Sequence, residues 1–407
     1  MQYGCIGEHL AHSFSKEIHN KIADYNYELC EIARENLDDF MKEKNFKAIN
    51  VTIPYKEAVI PYLYYIDDSA KEIGAVNTIV NKDGKLYGYN TDFMGMSVHA
   101  DKTGLDFKDK KVLVLGTGGT SKTATAVAKS KGAKEVIKVS RKGGVTYEDA
   151  KKLHSDAKII INTTPCGMFP DNYSSPIDLD DFPLVEGVLD AVYNPIVTKL
   201  VASALNKGIK ASSGLYMLVA QAVFASEKFV DTKYDAEIIS KVYNEILKEK
   251  RNIILIGMPG CGKSTVGKIL AEMTDKNFVD TDSLIVEKHG NISDIFEKYG
   301  EKTFREFETD AVKEASKSNS LIIATGGGAI LKDENVDALK SNGIVFFIDR
   351  PLESLIPTDD RPLAKDKDAI INRYNERYEK YIASAHVVIK ADCTPEDVAK
   401  KIINYME

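Results

Sequence analysis

The run IILIGMPGCGKST, Ile253 to Thr265, sets four consecutive apolar residues before a glycine-rich loop that ends in Lys263, Ser264 and Thr265. An uninterrupted apolar run is the mark of a parallel-sheet strand buried on both faces. The glycines let successive backbone N–H groups face a phosphate, Lys263 can reach the β- and γ-phosphates, and Ser264 can bind Mg²⁺. The helical stretch VGKILAEM, Val266 to Met273, follows. Strand, loop and helix thus come in the order a Walker A motif requires. Gly260, Cys261, Gly262, Lys263, Ser264 and Thr265 are therefore candidate nucleotide-binding residues, although the motif does not say which reaction follows.

A second strand-then-glycine signal lies upstream, where Val112 to Leu115 leads into GTGGTSK at Gly116 to Lys122. Gly116, Thr117, Gly118, Gly119 and Thr120 resemble a dinucleotide turn, with Ser121 where a third fingerprint glycine would stand. The end of the next strand is more informative. Ser140, Arg141 and Lys142 offer two cations and no acid, which suits a ribose 2′-phosphate better than a 2′-hydroxyl. NADP(H) is the expected cofactor; a solvated surface is the alternative for these cations. Ala48 to Ile53, Glu135 to Val139, Ala157 to Ile161, Val188 to Ala191 and Ile209 to Ala211 also read as strands. Tyr216 to Lys250 reads as helix, with the charged run Lys248 to Arg251 as a linker.

A chain of 407 residues has room for roughly two to three domains. With 54 basic against 61 acidic residues, the net charge of -7 argues against nucleic acid or an anionic membrane as partner. No apolar run approaches the ~20 residues of a membrane-spanning helix, and the start shows no signal pattern, so a cytoplasmic location is expected. The five cysteines are scattered without metal-ligand or disulfide spacing and read as small buried apolar residues.

Downstream of the Walker loop, FVDTDSLI places Asp280 and Asp282 two apart at a strand end, where alternate side chains share a face. One carboxylate can serve a metal and the other an acceptor hydroxyl. GEKTFREFE carries Arg305 on a helix with Glu308 three residues later; alone, this pair would read as a surface ion pair. ATGGGAI follows the strand Leu321 to Ile323 and allows close backbone approach to a small ligand. DDRPL and NERYEKY add Arg361 and Arg377, suited to carboxylate or phosphoryl charge. In this order, the motifs make residues 251–407 resemble shikimate kinase. The resemblance implies that Asp282 orients or deprotonates the 3-hydroxyl, and that Arg305, Arg377 and the Gly327 backbone hold the carboxylate end of shikimate. It also implies Arg361 on a lid over ATP, and Ser264 with Asp280 at Mg²⁺. The segment from Glu353 to Asp360 is short and lacks a further arginine, and Glu379 stands where proline is frequent.

Ahead of the dinucleotide turn lie HSFS (His12 to Ser15), NVTIPYKE (Asn50 to Glu57), GAVNT (Gly74 to Thr78) and YNTD (Tyr89 to Asp92). Each could be an ordinary cap or turn. Together, their hydroxyls, amides, lysine and aspartate suit a polyhydroxylated anion. With INTTPCGM, DAVYNP and GLYMLVAQA, they make residues 1 to about 248 resemble shikimate dehydrogenase. That implies Ser13, Ser15, Thr52, Asn77, Tyr193 and Gln221 at the substrate, Lys56 and Asp92 as the catalytic pair, and Ala191 and Gly214 near the nicotinamide. A lysine ammonium is a proton donor at neutral pH. It can therefore supply the proton as hydride reaches a ketone carbon.

The expected architecture is α/β throughout. Residues 1–100, completed by helices from about 216–248, form a substrate-binding domain; 101–215 form a Rossmann NADP-binding domain; 251–407 form a P-loop kinase domain with a parallel sheet flanked by helices. The two resemblances name consecutive reactions, 3-dehydroshikimate to shikimate with NADPH and shikimate to its 3-phosphate with ATP. The expectation is a bifunctional enzyme of aromatic amino acid biosynthesis, monomer or homodimer. The alternatives are an NAD-dependent quinate-type dehydrogenase fused to a small-molecule kinase, a half that only senses shikimate, and a GTPase switch, for which no N-K-x-D motif follows Lys263.

Overall fold

Ile253, Ile254, Leu255 and Ile256 are at most 1% exposed and form the strand Asn252–Ile256 of the computed structural model. The structure describes residues 1–10, 13–235, 237–355 and 367–406. Burying each such side chain stabilises the fold by about 1.5–3 kcal/mol, so this strand anchors its surroundings. It is the middle of a five-stranded sheet ordered Asn277–Asp280, Leu321–Ala324, Asn252–Ile256, Gly343–Asp349, Val387–Lys390. All its pairs are parallel. The chain leaves the central strand toward one side and later returns to the other, which opens a crevice at the carboxyl ends.

The chain divides into two units, Met1–Ile246 and Leu247–Glu407. The first holds two six-stranded sheets. One is ordered Lys210–Ser212, Gly187–Asp190, Ile159–Asn162, Lys111–Leu115, Glu135–Ser140, Val145–Thr146. It is parallel throughout and has the doubly wound order of a Rossmann sheet. The other is mixed, ordered Tyr27–Glu31, Tyr3–Gly7, Ala48–Val51, Thr78–Lys82, Lys85–Tyr89, Tyr65–Ile66. Helix Thr91–Lys102 packs along helix Leu215–Val230. The contact is close: a Cβ on Gly95 would lie 2.9 Å from both the Gln221 backbone N and the Met217 carbonyl.

Several expected boundaries move. The strand from Ala48 ends at Val51, which leaves Thr52 and Ile53 to a turn. Ala157 to Ile161 becomes Ile159–Asn162. The stretch Tyr216 to Lys250 is two helices, Leu215–Val230 and Ile238–Lys250, the first closed by Asp231 in the left-handed region. Lys248 and Lys250 lie in the last turn of the second helix rather than in a loop. Of the cysteines, Cys5 and Cys261 are buried, whereas Cys30, Cys166 and Cys393 are partly exposed; all are free. No helix among the described residues is long and apolar enough to cross a membrane.

Candidate active sites

In the first unit, Asn90 caps helix Thr91–Lys102 by accepting a hydrogen bond from Phe93 N at 3.0 Å. This fixes Asp92 in the first turn. Lys56 Nζ donates to Asp92 Oδ2 at 2.5 Å, and their side chains are only 14% and 8% exposed. Low exposure separates the pair from a surface ion pair, whose contribution is small. Burial pushes the thiol of Cys5 up to about 12, and it feels the charges of both Lys56 and Asp92.

A polar network surrounds Thr91, the residue before Asp92 in the helix. Asn77 Oδ1 accepts from Thr91 N at 2.7 Å, and Asn77 Nδ2 donates to Thr91 Oγ1 at 3.0 Å and Gln221 Oε1 at 3.4 Å. Asn50 donates to Thr78 Oγ1 at 3.2 Å and accepts from the Tyr27 hydroxyl at 2.7 Å. Asn50, Thr78 and Thr91 stand inside the quoted motifs, yet sequence reasoning assigned them no role. Ser13 Oγ donates to Ser15 Oγ at 3.0 Å, at the start of helix Ser15–Ile22. The half-buried Tyr193 ring packs on Phe14; burial raises its hydroxyl to about 12, against a hydrogen bond from Ser13. Thr52 follows its strand, and its Cγ2 would be 2.6 Å from a Cβ on Gly7. His12 lies outside the described residues.

The glycine turn faces the same pair, since a Cβ on Gly119 would lie 3.5 Å from Lys56 Cδ. Ser121 Oγ donates to Gly116 O at 2.7 Å, so its hydroxyl braces the turn where a third glycine was expected. Thr117, Gly118 and Thr120 complete the entry to helix Gly119–Ser130. Leu115 and Val139 are register partners, which puts the Ser140 to Lys142 turn at the same end of the sheet. Ser140 Oγ donates to the carbonyls of Lys142 and Gly143 at 2.8 and 2.7 Å, while Arg141 and Lys142 are exposed. Ala191 and Gly214 meet directly: a Cβ on Gly214 would be 2.3 Å from the Ala191 carbonyl oxygen.

In the second unit, Gly257, Gly260 and Gly262 all have positive φ, the conformation for which the loop needs glycine. The loop opens onto a cleft of about 720 Å³ lined by Gly260, Gly262, Lys263, Ser264 and Thr265. Cys261 instead turns inward, 2% exposed. Lys263 Nζ donates to the carbonyls of Gly257 and Met258 at 2.9 and 3.0 Å. Ser264 Oγ donates to Asp280 Oδ2 at 2.7 Å, so two hard oxygen donors of the kind Mg²⁺ favours converge. Among the described residues no group of three or more His, Cys, Asp or Glu could hold a metal.

Asp282 does not share a strand face with Asp280. The strand ends at Asp280, which caps helix Thr281–His289 by accepting from Asp282 N at 3.0 Å. Both carboxylates still reach the cleft. Helix Ile292–Lys317 breaks at Gly300, φ 79°. A new helical segment therefore begins just before Arg305, whose Nη1 donates to Glu308 Oε2 at 2.8 Å; the side chains are 12% and 2% exposed. Burial pushes the Glu308 carboxyl above its ordinary range, against the pull of Arg305.

The three glycines make room for side chains as well as for ligand. A Cβ on Gly326 would lie 2.6 Å from Asp282 Oδ1, one on Gly327 2.8 Å from Pro259 Cδ, and one on Gly328 2.0 Å from Arg305 Nη1. Arg377 Nη1 donates to Gly327 O at 3.2 Å. The buried Tyr381 hydroxyl donates to the same oxygen, a role its place in the R-x-x-x-Y motif could have suggested. Arg361 lies outside the described residues.

Two family models match the chain: the shikimate dehydrogenase substrate binding domain over residues 5–79 and shikimate kinase over residues 259–407. A shikimate dehydrogenase (NADP(+)) of Clostridium beijerinckii is 37% identical over 262 residues, 60% of this chain and 96% of that protein. A shikimate kinase of Clostridium botulinum is 46% identical over 162 residues, 38% of this chain and 98% of that protein. The crystal structure of shikimate dehydrogenase 1 from Peptoclostridium difficile aligns with a TM-score of 0.57 at 35% identity, covering 60% of this chain and 98% of that one.

Proposed function

The chain belongs to the shikimate dehydrogenase family in its first part and to the shikimate kinase family in its last, and from that premise we propose how its residues divide the work. It is a bifunctional shikimate-pathway enzyme that reduces 3-dehydroshikimate with NADPH and phosphorylates shikimate with ATP and Mg²⁺. When bound, NADPH supplies the hydride and ATP the phosphoryl group.

Residues 1–100, with the helices from about 216–248, form the substrate-binding domain; 101–215 bind NADP(H); and 251–407 form the kinase. Ser13, Ser15, Thr52, Asn77, Tyr193 and Gln221 orient the ring and its hydroxyls. Lys56 delivers a proton to the carbonyl oxygen as hydride reaches the carbon, and Asp92 holds the ammonium in place. The glycine turn and the Arg141–Lys142 turn hold the dinucleotide, with Ala191 and Gly214 near the nicotinamide. In the kinase, Asp282 accepts the proton of the attacking 3-hydroxyl. Lys263 and the loop amides hold phosphate oxygens, and Ser264 with Asp280 holds Mg²⁺, which offsets phosphate charge. Arg305, Arg377 and Gly327 take the carboxylate end, and Arg361 covers the nucleotide. The chain acts in the cytoplasm on small molecules, as monomer or homodimer, without nucleic acid or membrane.

The observation that carries the reductase reading is the enclosed 2.5 Å Lys56–Asp92 pair facing the glycine turn. Comparing NADP⁺ with NAD⁺ as oxidants of shikimate and of quinate tests it. NADP⁺ with shikimate is the expected preferred combination, and preference for NAD⁺ with quinate overturns it.

A further inference from the structure

Helix Lys367–Ser384 carries two arginines four residues apart, Arg373 and Arg377, a spacing that puts both on one face. Both line the cleft that holds Asp282 and Arg305, but the three arginines differ in how their charge is met. Arg305 donates from Nε and Nη2 to Glu301 at 3.3 and 2.9 Å, and from Nη1 to Glu308 at 2.8 Å. Two carboxylates therefore already share it. Arg377 has the Gly327 carbonyl. The Nη1 of Arg373 is buried and has no hydrogen-bond partner among the described residues. A buried guanidinium N–H without an acceptor is costly, and an anion entering the cleft removes that cost. Burial, and then the charge of Arg377, press the Arg373 guanidinium below its ordinary value, with Glu301 opposing.

We propose that Arg373 is a further substrate-binding residue of the kinase, forming with Arg377 the fork that takes the carboxylate of shikimate. Arg305 is then held by its two glutamates as the wall of the pocket and gives the substrate its remaining N–H groups. Two guanidinium planes on successive turns can grip a carboxylate from two sides, of which a lysine would keep the charge and part of the attraction but not the fork geometry. The inference rests on the cleft being the shikimate site.

The test compares shikimate with its uncharged methyl ester as phosphoryl acceptors, using the full chain. For Arg373→Gln, kcat/KM for shikimate should fall about tenfold to a hundredfold through KM, the size of a charged hydrogen bond. KM for ATP and the rate with the ester should stay within about twofold. Arg373→Lys, which keeps the charge, should recover part of the preference for the acid. An unchanged preference for the acid in Arg373→Gln, an equal fall for acid and ester, or no recovery in Arg373→Lys overturns the proposal. Arg377→Gln separates the two layers. If it abolishes the acid preference while Arg373→Gln does not, only the role of Arg373 fails; if neither variant affects it, the cleft is not the carboxylate site.

Discussion

On the proposed assignment, removing the Lys56 ammonium strips the reductase site of its proton donor while leaving the second unit untouched. Lys56→Ala should lower 3-dehydroshikimate reduction by about 10²–10⁴-fold, with phosphorylation of shikimate unchanged in the same preparation. Near-normal NADPH oxidation would remove Lys56 from the mechanism. Lys263→Ala is the mirror experiment, and ADP formation should fall at least about a hundredfold while reduction persists. The meeting of Lys56 with Asp92 was legible only through the resemblance carried by the motifs around them, whereas Lys263 was legible from the glycine loop before it. Asn50 was not legible: it works through a hydrogen bond to Thr78, and nothing local in the chain marks such a bond. Tyr381, bonded to the Gly327 carbonyl, carried only its place in the R-x-x-x-Y motif as a signal.

Elements position these groups through close backbone contacts, and there glycine decides the outcome. Gly95→Ala inserts a methyl 2.9 Å from the backbone of helix Leu215–Val230. It should destabilise the first unit by about 1–3 kcal/mol and raise KM for 3-dehydroshikimate by displacing Gln221, measurable by denaturant unfolding and steady-state kinetics. Unchanged stability and KM would contradict the tight helix pairing. Strands buried on both faces, such as Val112 to Leu115 and Ile253 to Ile256, were readable because nothing but burial explains an unbroken apolar run. The break between Val230 and Ile238 was not, because the apolar spacing on either side of it is helical. The expectation for Asp280 and Asp282 failed on a cap. An aspartate that caps the helix by accepting the N–H of its second residue ends the strand, and sequence alternation cannot show that.

For the whole molecule, buried ionisable groups set how the first unit responds to acid. Burial lowers His19 to about 3 and His99 to about 4. Between the unfolded value near 6.5 and those values, the unfolded chain binds more protons, so stability falls as pH drops through this window. Asp190 opposes them in part. Burial raises it to about 7, against hydrogen bonds from Val192, Thr198 and Asn162. The folded state therefore holds its proton above pH ~4, and stability falls as pH rises toward 7. With two histidines against one aspartate, the sum favours neutral pH. The urea concentration that abolishes reductase activity should fall between pH 6.5 and 4.5. His99→Gln should flatten that fall, and an unchanged slope would count against a neutral buried His99.

The central claim is that one chain makes shikimate and then phosphorylates it. Purified protein given 3-dehydroshikimate, NADPH, ATP and Mg²⁺, with NADPH loss and ADP release followed separately, tests this most directly. The account predicts that NADPH disappears first, that ADP follows toward an equal molar amount, and that omitting NADPH abolishes ADP release. ADP release that does not depend on NADPH, or NADPH loss with no ADP release, would contradict it.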